Sequence, residues 1–238
     1  MKNKKTLISA VAAFTAALAA AVGVPRMVSA GETSQADTTS SAGAHAAVDD
    51  RYPSQTAADW IAHTDHAIAY TVLSEKALPM SEEEEQSGEG FVPRELTVRV
   101  DKVIWSHPAS TSEPPAVGST IVRHSGGWTV HDGERTPVVD ADRPVLEPGH
   151  SYIEAVHWLT KGPDGTELPP SWVGLGEGSK LPFDNGVIGK GENEGQTVSA
   201  TRFRAMEDEP GPASLEEQMA GKSATELAAA LDAAVPAR

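Results

Sequence analysis

Leu96-Thr97-Val98-Arg99-Val100-Asp101-Lys102-Val103-Ile104-Trp105 is the stretch that decides the fold class. Leu96, Val98 and Val100 alternate with Thr97, Arg99 and Asp101, the period-two pattern of a half-buried strand. After Asp101 the phase slips by one residue, and Val103 and Trp105 carry the apolar positions onward. A slip of this kind is what a β-bulge produces, and long bent strands turn the corners of small barrels.

The flanking segments extend the same reading. Residues 67–73 predict a strand with Ile68, Tyr70 and Val72 on one face. Before it, Ser54 is placed to cap a short helix over 56–63, with Trp60 and Ile61 turned inward. Residues 79–93 read as an exposed, mobile loop, because Glu82 to Glu85 repel one another. On the other side, 119–124 predicts a strand stopped by Ser125-Gly126-Gly127, and Trp128 to His131 leads into the hairpin pair Asp132-Gly133. A turn at 145–149 feeds a long strand over 152–160. Shorter strands follow at 172–175, 180–183 and 186–188, the last two joined through Asp184-Asn185. The tail changes period: Ser214-x-x-Glu217 and Ser223-x-x-Glu226 are capping boxes, Gly221 separates them, and Leu227, Leu231 and Val235 recur every four residues. The expected fold is mainly β (α+β overall). It is a small antiparallel OB-like β-barrel or sandwich with a short N-terminal helix and a C-terminal helix, in a single domain over 51–238.

Composition narrows the function. The 238 residues carry 19 basic and 34 acidic groups, a formal charge of −15, and no cysteine. So acidic a chain has no general grip on nucleic acid, which requires clustered Lys and Arg. Without cysteine there is no disulfide, no thiolate-bound metal and no thiol nucleophile. Residues 1–30 have the layout of a secretory signal: a head with Lys2, Lys4 and Lys5, an Ala-rich apolar run over 7–24, and Val28-Ser29-Ala30 at the expected cut. The alternative, an uncleaved anchor, asks for about twenty strongly apolar residues, and Ala, Ser9, Thr15 and Gly23 dilute this run. Cleavage removes four basic residues and no acid, so the charge moves from −15 to −19. Residues 31–50, rich in Ser, Thr, Ala and Asp, are expected to form a disordered spacer.

Several segments together resemble a domain of secreted proteins from high-GC Gram-positive bacteria. The matching stretches are 64–72, the strand over 96–103, Val122 to Gly127 with its v-R-x-x-G-G pattern, and Leu146 to Tyr152 with its L-x-P-G-x-x-Y turn. A looser match covers 178–187, and Gly221 to Leu227 resembles that group's terminal helix. The resemblance spans roughly 60 to 235 and carries no catalytic residues with it. It implies a secreted barrel similar to OB-like modules, netrin-type inhibitor domains included, and hence a binding role.

Candidate site residues are few. Trp128 follows a glycine pair beside Arg123, His124 and His131, and an exposed indole there would stack on a sugar or peptide. Trp128, His124 and His131 are therefore the candidate ligand contacts. Trp172 is expected at a strand edge, and Trp60, Trp105 and Trp158 in the core. Ser125, His131 and Asp140 supply the residue types of a hydrolytic triad, although His124-Ser125-Gly126-Gly127 lacks the first glycine of a nucleophile elbow. His63-x-x-His66 with Asp59 has a metal-pair spacing but straddles a helix–strand junction. Gly221-Lys222-Ser223 has Glu216 where a phosphate loop starts with Gly, and Gly174-x-Gly176-x-Gly178 lies between strands, so no cofactor is expected. The expectation is a secreted, monomeric, non-enzymatic module that binds a protein or cell-envelope component. It would have no metal, no nucleic-acid partner and no membrane anchor after cleavage. The alternatives are a secreted hydrolase or an extracellular metal-binding protein.

Overall fold

Alternation in the sequence becomes an eight-stranded sheet in a computed structural model that describes residues 44–45, 52–139, 144–162, 164–190 and 213–235. All of these lie in the compact unit Ser41–Arg238. The strands are β1 (Ala44–His45), β2 (His66–Ala77), β3 (Gly90–Ser106), β4 (Thr120–His131), β5 (Glu134–Val139), β6 (Ser151–Lys161), β7 (Glu167–Gly174) and β8 (Lys180–Pro182). Their order is β1-β5-β4-β3-β2-β6-β7, with β8 added to β6. Every pairing is antiparallel except the two-residue β1, which runs parallel to Val138 and Val139 inside the expected spacer. The helices are α1 (Ala57–His63), α2 (Glu82–Ser87), α3 (Leu215–Met219) and α4 (Ala224–Ala233). The expected leader over 1–30 lies outside the described residues. Among those described, no helix is long and apolar enough to cross a membrane.

His66–Tyr70 of β2 and Tyr152–Val156 of β6 are buried on both faces, and residue size tells the faces apart. Ile68, Tyr70 and Val72 of β2 join Leu96, Val98, Val100, Tyr152 and Val156 in a core on the concave side. The alternating positions Ala67, Ala69 and Ala155 are small, and against them pack Trp60, Leu215, Leu227 and Leu231 from the helices. Alanines on that face let helices dock closely, while bulky residues fill the inside of the curl. The phase slip read in β3 is real: β2 skips Ile104 and Asp101 when pairing with it, so two bulges bend the strand. The result is a curled, mainly β half-barrel with short helices, the expected class.

Four local expectations are corrected. Thr56, not Ser54, caps α1, because its hydroxyl takes the Asp59 N–H while Asp59 accepts from the Thr56 N–H. Ser54 is instead buried and accepts from the Gly178 N–H at 3.0 Å. The acidic run is α2 rather than a loop. Glu82 to Glu85 occupy its first turn, where free N–H groups and the helix dipole favour negative charge, and Ser81 and Glu84 form a capping box. Those hydrogen bonds hold the Glu84 carboxyl below its ordinary pKa. β4 does not stop at Ser125-Gly126-Gly127. Ser125 and Gly126 together oppose the single residue Arg94, a bulge that Gly126 permits at φ +64°. Finally, 186–188 is not a strand. Asp184–Gly186 forms a 3-10 turn, and Ile188 exchanges backbone hydrogen bonds with Gly221 and Lys222, tying the helical tail to the sheet.

The two tail helices follow their caps as expected, with Ser214–Glu217 and Ser223–Glu226 boxes. Another turn carries a pH dependence. His150 Nδ1 meets Asp184 Oδ2, while the Asp184 Oδ1 accepts from the Ser151 N–H. The hydrogen bond to Asp184 raises the His150 pKa above 6.5, with the charges of Asp184 and Glu147 acting in the same sense and burial against it. A raised histidine pKa contributes stability that is full below the unfolded value and is lost as pH rises through the folded one. Wild type should therefore exceed His150→Ala in unfolding free energy by more at about pH 5.5 than at about pH 9. Urea titrations of both proteins check this. An equal difference at both pH values would remove the pair from the stability account.

Candidate functional site

The sheet curls far enough for β4 to face β7 across the barrel seam without a backbone ladder between them. Side chains close that seam. Arg123 of β4 reaches inward, its Nε donating to Glu154 Oε2 at 3.1 Å and its Nη2 to Glu154 Oε1. Its Nη1 donates to the carbonyl of Trp172 on β7 at 2.6 Å. Glu154 is fully buried and Arg123 is 5% exposed. Such a pair persists only when its geometry is bidentate and its remaining lone pairs are met. Gly174 makes room for it: a Cβ there would lie 2.2 Å from Glu154 Oε1 and 2.7 Å from Arg123 Nη2. Below the pair lies Tyr70, wholly buried, whose hydroxyl makes no hydrogen bond of ordinary geometry. Burial first, then the Glu154 carboxylate, pushes its pKa well above 10, with Arg123 pulling the other way, so the phenol keeps its proton.

Above this floor is a cleft of ≈ 300 Å³, lined on one side by Val122, Arg123 and His124 and on the other by Ser171, Trp172 and Val173. Lys180 of β8 closes its end, with Nζ 3.3 Å from Ser125 Oγ. Strand register fixes what faces the cleft. Residues paired directly across strands share a face. Trp158 of β6 pairs with Trp172 of β7, and the rings stand 4.9 Å apart at 55°. Trp158 is two and four residues from Val156 and Glu154, so both indoles lie on the concave side at the mouth of the half-barrel. The His66 ring meets Trp172 edge-on at 5.3 Å.

The sequence candidates divide across the sheet. Trp128 pairs with Val92 and is half-buried on the inward face, further along β4 than the cleft. His124 pairs with Glu95 and His131 with Glu134, so both histidines project outward, 61% and 74% exposed. His124 borders the cleft, whereas His131 lies against Glu89 at 3.0 Å. The three do not converge, because the bulge at Ser125–Gly126 reverses the phase of β4 between His124 and Trp128. The triad does not assemble from Ser125 and His131 either. Ser125 faces Lys180, and His131 is about 20 Å further along the strand; Asp140 lies outside the described residues.

Histidine spacing suggested a metal that the geometry does not build. His66 opens β2 rather than extending α1, and its Nδ1 and Nε2 are engaged by Ser106 Oγ and the Ser112 carbonyl, each at 2.9 Å. His63 stacks on Tyr52 beside a second cavity of ≈ 350 Å³ that also includes His107 and His157. Among the described residues no three His, Asp or Glu groups are placed to share an ion.

Sequence reasoning missed Trp158, assigned to the core yet 39% exposed, and the partnership of Arg123 with Glu154. A signal for the second was present. Glu154 interrupts the apolar run Tyr152 to Val156, and a carboxylate inside a buried strand requires a cation. The chain was compared with known protein families, curated proteins and solved structures, and it matches none of them.

Proposed function

We propose that this chain is a secreted, non-enzymatic binding module, acting as a monomer, whose ligand is an extracellular protein or cell-envelope component held in the cleft between β4 and β7. The observation that carries the reading is the cleft itself: a concave, partly aromatic cavity over a rigid, internally neutralised Arg123–Glu154 floor. Cavities of this size with a few fixed polar groups are the usual seat of ligands. A floor whose charges satisfy each other supplies orientation rather than reactivity. The signal-like leader and the resemblance to secreted domains of high-GC Gram-positive bacteria support export.

Ser171 is exposed on the cleft wall, so Ser171→Trp fills the cavity without touching the core. The full chain should cosediment with isolated Gram-positive cell envelopes, and Ser171→Trp should retain at least about tenfold less. Envelopes that retain both proteins equally would exclude the cleft as the ligand site, and envelopes that retain neither would exclude an envelope ligand.

A further inference from the structure

Apart from the β4–β7 cleft, we propose that the second cavity, of ≈ 350 Å³, is an oxyanion site that its histidines fill as pH falls. Asp65 gathers the walls of this cavity. Its N–H donates to the Val156 carbonyl of β6 at 3.0 Å, and its carbonyl accepts from the His107 N–H at 2.8 Å. Those bonds bring together His157, the next residue of β6, His107, just after β3, and His63, the last residue of α1. Three imidazoles from three parts of the chain thus line one cavity, and each is only half-buried, so a ligand can reach them.

Hydrogen bonding decides what these walls offer. The Asp65 carboxylate is turned to its own neighbours: Oδ1 accepts from Ser110 Oγ at 2.7 Å and Oδ2 from the Trp158 N–H at 2.8 Å. His107 Nδ1 accepts the Ala109 N–H at 3.0 Å, so the proton of the neutral ring sits on Nε2, a donor. Deeper in the wall, the Thr64 hydroxyl is buried with no hydrogen-bond partner, while the Thr64 N–H is spent on the Trp60 carbonyl. An unpaired buried hydroxyl is costly, and an acceptor oxygen placed against that wall would satisfy it. Tyr52 packs along His63 at 4.9 Å and meets His157 edge-on at 5.9 Å, which holds both rings in place.

Charge selects the ligand and sets its pH condition. The titratable groups that face the cavity are Tyr52 from the segment before α1, His63 from α1, Asp65 from the α1–β2 link, His107 from the loop after β3 and His157 from β6. Among the described residues no Lys or Arg lines it. With neutral imidazoles only the Asp65 charge remains, and a chain of formal charge −15 repels an anion. Imidazole gains its charge within the range of pH 8 to 5. Protonated, the three rings outweigh the one carboxylate, and their N–H groups make charge-assisted hydrogen bonds to an oxyanion. A metal ion is the competing ligand, but it needs three donors around one point, which the described residues do not supply. An oxyanion is larger, and a wider ring of donors reaches it.

The histidine ring resonances of the full chain, followed by NMR as sodium sulfate replaces sodium chloride at constant ionic strength, provide the test. Sulfate keeps its charge across the range, so any pH effect belongs to the protein. At about pH 5.5 the His63, His107 and His157 signals should move saturably, and binding should be at least about tenfold weaker at about pH 8. Acetate is titrated in parallel, and the tighter of the two anions tells a carboxylate ligand from one bearing sulfate or phosphate. His63→Gln/His107→Gln should weaken binding about tenfold or more. Thr64→Val should weaken it about threefold or more without lowering the thermal midpoint in chloride, since it removes an unpaired buried hydroxyl. Absence of saturable binding by both anions, equal binding at the two pH values, or binding indifferent to both variants overturns the proposal. Binding that is lost in Lys180→Met and kept in His63→Gln/His107→Gln would place the anion in the β4–β7 cleft, and overturns it as well.

Discussion

Arg123→Met should lower the free energy of unfolding by about 3–5 kcal/mol, the usual cost of removing one partner from a buried ion pair. Glu154 is fully buried and accepts two hydrogen bonds from that guanidinium, and Arg123 also holds the Trp172 carbonyl across the seam. Without Arg123, the buried Glu154 carboxylate would lose the cation that balances it. The double variant Arg123→Met/Glu154→Leu should recover most of the loss, because two well-packed apolar groups replace a desolvated pair at little net cost. Gly174→Ala should act in the same direction as Arg123→Met, since its new methyl would stand 2.2 Å from Glu154 Oε1. Urea titrations of the four proteins at neutral pH measure all of this. A loss under about 1 kcal/mol for Arg123→Met, or no recovery in the double variant, would show that the seam is closed by something else.

Trp60→Ala is expected to cost a further, independent 3–5 kcal/mol or so, typical of deleting a large aromatic from a core. Trp60 is 0% exposed in the cluster between α1, α4 and the alanine face of the sheet. Its Nε1 also donates to the Ser54 carbonyl at 2.9 Å, so truncation leaves that buried acceptor without its donor. The loss should appear as a lower urea midpoint with little change in slope. Trp60→Phe should recover the part due to volume and not the part due to the hydrogen bond. A Trp60→Ala protein within about 1 kcal/mol of wild type would mean that the helical layer contributes little to the fold.

Local pattern was the legible part. The bend in β3, the inward set Ile68, Tyr70 and Val72, and both tail capping boxes were readable because each depends on neighbours two to four residues away. Errors arose where two local signals competed. Glu82 to Glu85 repel one another, yet the free N–H groups of a helix start accept that charge. Gly126-Gly127 reads as a strand end, yet in β4 the first glycine only absorbs a bulge.

Trp158 shows the limit more sharply. Its position continues the inward face of β6, as a core assignment requires, but β6 outruns β2 at that point, since their ladder ends at Val156. Its partner β7 ends the sheet, so the ring is covered by Trp172 on one side and left 39% exposed. Alternation tells which face a residue takes and not whether another layer lies over that face.

By itself, the sequence determined the period of each element, the absence of any thiol chemistry and an acidic surface, all properties of composition and of neighbours along the chain. Only the tertiary structure decided the site. Arg123 and Glu154 are 31 positions apart, and Gly174 is more distant still in the chain from Arg123. They meet because two bulges curl the sheet until β4 faces β7, and register then selects which side chains enter the gap. Closure of a barrel seam is a long-range event, and no local pattern encodes it.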